Sequence, residues 1–148
     1  MPNGRNVSAL LGLLLMAASA VAQPALLLDP SRAPITLKGG WEQKQGSAGG
    51  GAANSGDVVV KISKINPDGS FEGRLDFYTS GRWCRAADEP IKEGRITAKT
   101  ISLVANGGPP ATCGMMTFEF RPGKDKWMQG RLKSEAGGGA PMWLNAPK

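Results

Sequence analysis

Few side chains in this sequence have chemistry to offer. The chain has 148 residues, two cysteines and no histidine. Without an imidazole the commonest general base is missing and a Ser-His-Asp arrangement is excluded. Ser80, Ser102 and Ser134 stand in no recognisable motif. Asp88 and Glu89 are adjacent carboxylates, and paired carboxyls serve glycoside hydrolysis when they flank the bond to be cut. Neighbouring acids between turn residues are more ordinarily a solvated loop, so the expectation is no enzyme, with Asp88 and Glu89 as the catalytic alternative. Cys84 and Cys113 read as one disulfide in an exported chain. A metal pair would need histidine or a second cysteine pair, so neither metal nor cofactor is expected. Of the four tryptophans, Trp41 reads as core and Trp83 as packing on the disulfide, which leaves Trp127 and Trp143 as candidates for recognition rather than catalysis.

The export reading rests on the first residues. Met1 to Val7 carries one charge, Arg5; Ala9 to Val21 is apolar and rich in small residues. Ala20-Val21-Ala22 supplies the small-x-small pattern of a signal-peptidase site. The apolar run is short for a span of about 20 residues, so cleavage after Ala22 is expected rather than a membrane anchor. The reading divides the chain into a cleaved signal peptide (1–22), a leader (23–34) and one domain (35–148). That domain is long enough to bury a sizeable core.

The charge is basic, formally +6 with Arg5 included. Such a balance favours acidic partners, but the basic residues are dispersed singly, as at Arg74, Arg82, Arg85 and Arg95. Solubility is the preferred account of them. No nucleic-acid motif and no second apolar run occur, so neither nucleic acid nor a membrane span is expected.

The elements that must position these residues follow from period-2 alternation. Ile35 to Gln43 reads as the first strand. Val58 to Ile65 and Phe71 to Thr79 flank the turn Asn66-Pro67-Asp68-Gly69 and form a hairpin. Trp83 to Pro90 reads as irregular. Ile91 to Ile96, Lys99 to Ala105, Cys113 to Arg121, Lys126 to Ser134 and Pro141 to Asn145 complete the set. Gly46 to Gly56 is low-complexity, either a lid over a mouth or a plain linker. The triplets Gly73-Arg74-Leu75 and Gly130-Arg131-Leu132 place glycine on the apolar face and arginine on the other. Buried glycines of this kind suit strands that coil tightly around a narrow core. The fold expected is all-β: a single small antiparallel up-and-down barrel of about eight strands with one disulfide.

The order of short motifs resembles the avidin and streptavidin family, within the calycin group that includes the lipocalins. Gly40-Trp41, Asp68-Gly69-Ser70-Phe71-Glu72-Gly73, Trp127-Met128-Gln129-Gly130 and Met142-Trp143-Leu144 carry the resemblance. It implies a ligand held at the open end of the barrel, with Gln43 at the family's asparagine position and Ser47 at its serine. The family's tyrosine falls at Leu75, which has no hydroxyl, so biotin itself is not the expected ligand. Trp143 keeps its family place and implies contact with a neighbouring subunit in a homo-oligomer.

The leading functional reading is an exported, non-catalytic binding protein for a small molecule or glycan at Gln43, Ser47, Leu75 and Trp143. It needs an open interior, and a barrel packed solid by Phe71, Leu75, Phe77, Phe118 and Leu132 would exclude it. The alternative is a protein–protein module, a secreted inhibitor or an envelope-associated domain. Its surface would be the basic outer wall with Trp127, placed outward by alternation, and Arg131.

Overall fold

A computed structural model of the chain describes residues 22–43, 54–78 and 84–148. The residues up to 21, read above as a signal peptide, lie outside the described residues, as do Ser47, Trp83 and most of the Gly46–Gly56 segment.

Eight antiparallel strands close into one up-and-down barrel, each bonded to the next and the last to the first. They are β1 (Ile35–Gln43), β2 (Asn54–Ile65), β3 (Phe71–Tyr78), β4 (Arg85–Ile96), β5 (Ile101–Asn106), β6 (Met115–Pro122), β7 (Met128–Ser134) and β8 (Gly139–Leu144). This is the all-β architecture expected, and it is compatible with a calycin-like barrel. Among the described residues no helix is long and apolar enough to cross a membrane.

Alternation builds the interior. In β6, Met116, Phe118 and Phe120 are buried while Thr117 and Glu119 are exposed. In β8, Ala140, Met142 and Leu144 are buried and Pro141 is exposed. Phe71, Leu75, Phe77, Phe118 and Leu132 all belong to one apolar core. The rings of Phe77 on β3 and Phe118 on β6 meet edge to face, their centroids 5.6 Å apart. Contact between such distant strands means that side chains fill the barrel at that level. Trp41 packs on Phe77, with centroids 6.2 Å apart, and its Nε1 donates to the Tyr78 carbonyl at 2.8 Å.

Two glycines show why the apolar face carries them. A Cβ on Gly130 would run into the Glu119 carbonyl and the Phe120 backbone of β6. One on Gly73 would meet the Lys61 carbonyl of β2. The strands therefore approach more closely than any side chain allows, which is how a small barrel coils.

Two sequence expectations are corrected and one is extended. The stretch read as irregular, Trp83 to Pro90, is strand from Arg85 onward. Its alternation is hidden by register shifts near Leu75/Phe77 and Ile91/Glu93, and Asp88 sits at the first with φ +49. A bulge adds one residue and re-aims all that follow. The leader also takes part in the core: Leu28 is buried, and the Leu27 N–H donates to the Thr97 carbonyl at 2.9 Å. It covers the end that holds the β2–β3 turn, since Leu26 lies against Gly69. Finally, Asn54–Gly56 belong to β2 rather than to a linker. Gly56 pairs with Trp41, and a Cβ there would collide with the indole nitrogen.

At the opposite end Cys84 and Cys113 form the disulfide, with Cα atoms 5.1 Å apart. It ties the start of β4 to the β5–β6 connection. The Arg85 N–H donates to the Gly107 carbonyl beside it at 2.9 Å.

Candidate functional site

A filled interior directs attention to the outer wall, where β7, β8 and β1 adjoin. With Met142 and Leu144 inward, Trp143 must point out. It is half-buried, and its indole lies across the neighbouring strand on Gly40. A Cβ on Gly40 would stand 2.7 Å from Trp143 Cζ2 and 3.1 Å from Cη2. Gly40 is itself buried, although it faces outward, because the indole covers it. The Lys126 ammonium lies over the same ring, 5.4 Å from its centroid, within cation–π range.

Around this platform is a groove of about 960 Å³, at the upper end of small-ligand sites. Gln129 and Arg131 line it from the outward positions of β7, and Glu42 and Gln43 from the end of β1. Asp125 and Lys126 border it from the turn before β7. Two smaller outer-wall grooves, of about 530 and 430 Å³, are not lined by tryptophan.

The groove lies where pairing between β1 and β8 stops. The Asn145 N–H donates to the Lys38 carbonyl at 2.8 Å, and the ladder continues through Gly40/Trp143 to Trp41/Met142. Hydrogen-bonded pairs recur every second residue in an antiparallel ladder. After Lys38/Asn145 and Gly40/Trp143 the next would be Glu42/Pro141. Proline has no N–H to donate, so the seam ends there and its outer face is left open. Toward β7 the same residue is a non-hydrogen-bonded partner of Arg131, and that ladder runs on to Lys133/Gly139.

The structure brings together three of the residues singled out from sequence: Gln43, Arg131 and Trp143. Leu75 is not with them. It is wholly buried among the core side chains. Trp127 does not take the outward strand position expected for it. β7 begins only at Met128, so strand alternation does not reach it; the residue sits in the preceding turn, half-buried and packed on the core. Gly40, Lys126, Gln129 and Pro141 were not singled out. The pattern Met142-Trp143-Leu144 already contained the outward tryptophan by alternation alone.

Asp88 and Glu89 are elsewhere. The Asp88 carboxylate bridges Lys61 Nζ at 3.2 Å and Arg74 Nε at 2.8 Å, while Lys61 also reaches Asp76 at 2.7 Å. The Asp88 N–H donates to Asp76 at 2.7 Å. The hydrogen bond from Lys61 is the main reason that both carboxyls titrate below the ordinary range. The cluster pins the β4 bulge to β2 and β3. Glu89 is half-buried opposite Leu75. Among the described residues no group of three or more His, Cys, Asp or Glu is placed to hold a metal ion.

Comparison with protein-family models, with curated proteins and with solved structures returns no match.

Proposed function

We propose that this chain is an exported, non-catalytic binding protein that takes a glycan on its outer wall, in the groove over Trp143. The observation that carries the reading is the outward indole seated on Gly40. A flat aromatic face offers apolar contact to the CH face of a sugar ring. Planar amides and carboxylates at its rim, Gln129, Gln43 and Glu42, suit the hydroxyls. The avidin-like resemblance is retained as a likeness of barrel architecture. The site moves from the barrel mouth to the wall because Phe77 and Phe118 fill the interior. The signal-peptide pattern of the first 22 residues and the disulfide support export. The ion-paired state of Asp88 supports a structural role for that carboxylate rather than a catalytic one.

The test is titration of the purified mature chain with short oligosaccharides by calorimetry. Saturable binding that Trp143→Ala weakens about tenfold or more, near 1.4 kcal/mol, supports the reading. Binding that ignores this substitution, or none to any oligosaccharide, would overturn it. Under the protein–protein alternative the same face would instead retain a polypeptide partner from periplasm or medium, and Trp143→Ala would release it.

A further inference from the structure

Among the described residues the ion pairs involve Lys61, Arg74 and Arg121, and the two cations of the groove stand outside them. Lys61, Arg74, Asp76 and Asp88 are mutually paired. Arg131 has a carboxylate directly across the ladder, Glu119 on β6. That carboxylate is taken by Arg121, which donates to Glu119 Oε1 from Nε at 2.9 Å and from Nη2 at 2.7 Å. Among the described residues neither Arg131 nor Lys126 is in an ion pair, and Lys126 rests on the Trp143 ring. The groove therefore presents a guanidinium fork and an ammonium that are in no ion pair, with Glu42 and Asp125 on the same border.

Resting on the glycan reading, we infer that the sugar held on Trp143 carries a carboxylate, received by Arg131 and Lys126. A guanidinium matches a carboxylate with two parallel hydrogen bonds, and charge assistance makes these the strongest contacts available at such a rim. Lys126 is held to the ring by cation–π attraction alone, worth about 0.5–1 kcal/mol at an exposed site, and an incoming carboxylate offers it more. Glu42 and Asp125 border the same groove. They accept hydrogen bonds from hydroxyls and repel further anions. The ligand is thus an isolated carboxylate among hydroxyls, a uronic acid unit, rather than a densely sulfated chain.

The experiment compares a short oligogalacturonide with the neutral galactose oligomer of the same length, by calorimetry at low and at physiological salt. The acidic oligomer should bind about tenfold tighter at low salt, with the preference shrinking as salt rises. Arg131→Gln should collapse the acid-to-neutral ratio toward unity, and Arg131→Lys should restore part of it. Lys99→Gln, on the β4–β5 turn, should leave the ratio unchanged. A wild-type chain that binds both oligomers equally, or prefers the neutral one, overturns the carboxylate inference and leaves the glycan site standing. A ratio that survives Arg131→Gln overturns it as well. Failure of both oligomers and of all other sugars removes the site itself.

Discussion

The indole of Trp143 on the last strand lies over Gly40 on the first, across the seam that closes the barrel. The same device appears once more with the opposite sense. Trp41, inward on β1, lies over Gly56 on β2. In each pair a tryptophan spans a neighbouring strand that must lack a side chain at the crossing. One indole completes the core and the other makes an external platform.

Replacing Gly40 by alanine separates these roles. The new methyl group would meet the far ring atoms of Trp143, which can swing outward, and the Gly56 carbonyl at 3.0 Å. The ring yields more easily than the backbone, so the barrel should persist while the platform tilts away. Stability should fall by no more than about 1 kcal/mol, within the usual range for single substitutions. Oligosaccharide binding should weaken about tenfold, and acrylamide quenching of tryptophan fluorescence should rise. Unchanged quenching would show that the indole does not rest on Gly40.

The contact between Phe77 and Phe118 decides whether the interior is structural. Both rings are fully buried. Truncating either to alanine should cost about 3–5 kcal/mol, as for other large core residues. The double variant should cost less than the sum, by about 0.5–1.5 kcal/mol of ring–ring coupling. Denaturant unfolding measures all of these. Near-neutral effects of both single changes would mean that the barrel interior is loose enough for a ligand.

The ion cluster on the far wall makes a pH prediction. Asp76 and Asp88 are held below the ordinary carboxylate range, chiefly by the Lys61 hydrogen bond. A lowered folded-state value stabilises the fold at pH above the unfolded carboxylate value of about 4. That contribution is lost as pH falls through the lowered folded values. Lys61 is shifted up by the same partners, so its contribution is full below about pH 10 and is lost only as pH rises through its raised value. Thermal stability should therefore be flat from about pH 5 to 9 and decline in acid. Lys61→Met should lower the plateau and make the acid limb shallower. A limb of unchanged steepness would assign the acid sensitivity to other carboxylates, such as Asp68, held low by Ser70.

Sequence patterning reached the barrel because most strands keep strict alternation. β1 has the bounds that its residues suggest, and the β2–β3 hairpin follows from its turn. β4 was legible only from Ile91 onward, since its bulges break the period that makes a strand readable. Gly56 was taken for linker because a glycine that ends a flexible run and a glycine that makes room for Trp41 look alike in composition. Gln43, Arg131 and Trp143 could each be named. Their convergence could not, since it depends on the pairing of the first strand with the last and on where that pairing stops. Trp127 was misplaced because β7 starts at Met128 rather than at Lys126, so the alternation that would have turned it outward stops one residue short of it.

Pro141 sets where the seam stops, and it can be tested without a ligand. Asn145 bonded to Lys38 fixes the phase of the ladder, so residue 141 must present its nitrogen to the Glu42 carbonyl. Pro141→Val supplies the missing donor. The new hydrogen bond is worth about 1 kcal/mol. Loss of the proline makes the unfolded chain more flexible and costs about 0.4–1 kcal/mol. The two effects nearly cancel, so overall stability is a poor readout. Amide exchange at position 141 is a good one. If the phase is right, the new N–H should be protected to the same degree as its neighbours in β8, and the tightened seam should weaken oligosaccharide binding. A rapidly exchanging amide at 141 would place the nitrogen toward solvent, and the open seam would then need a cause other than proline.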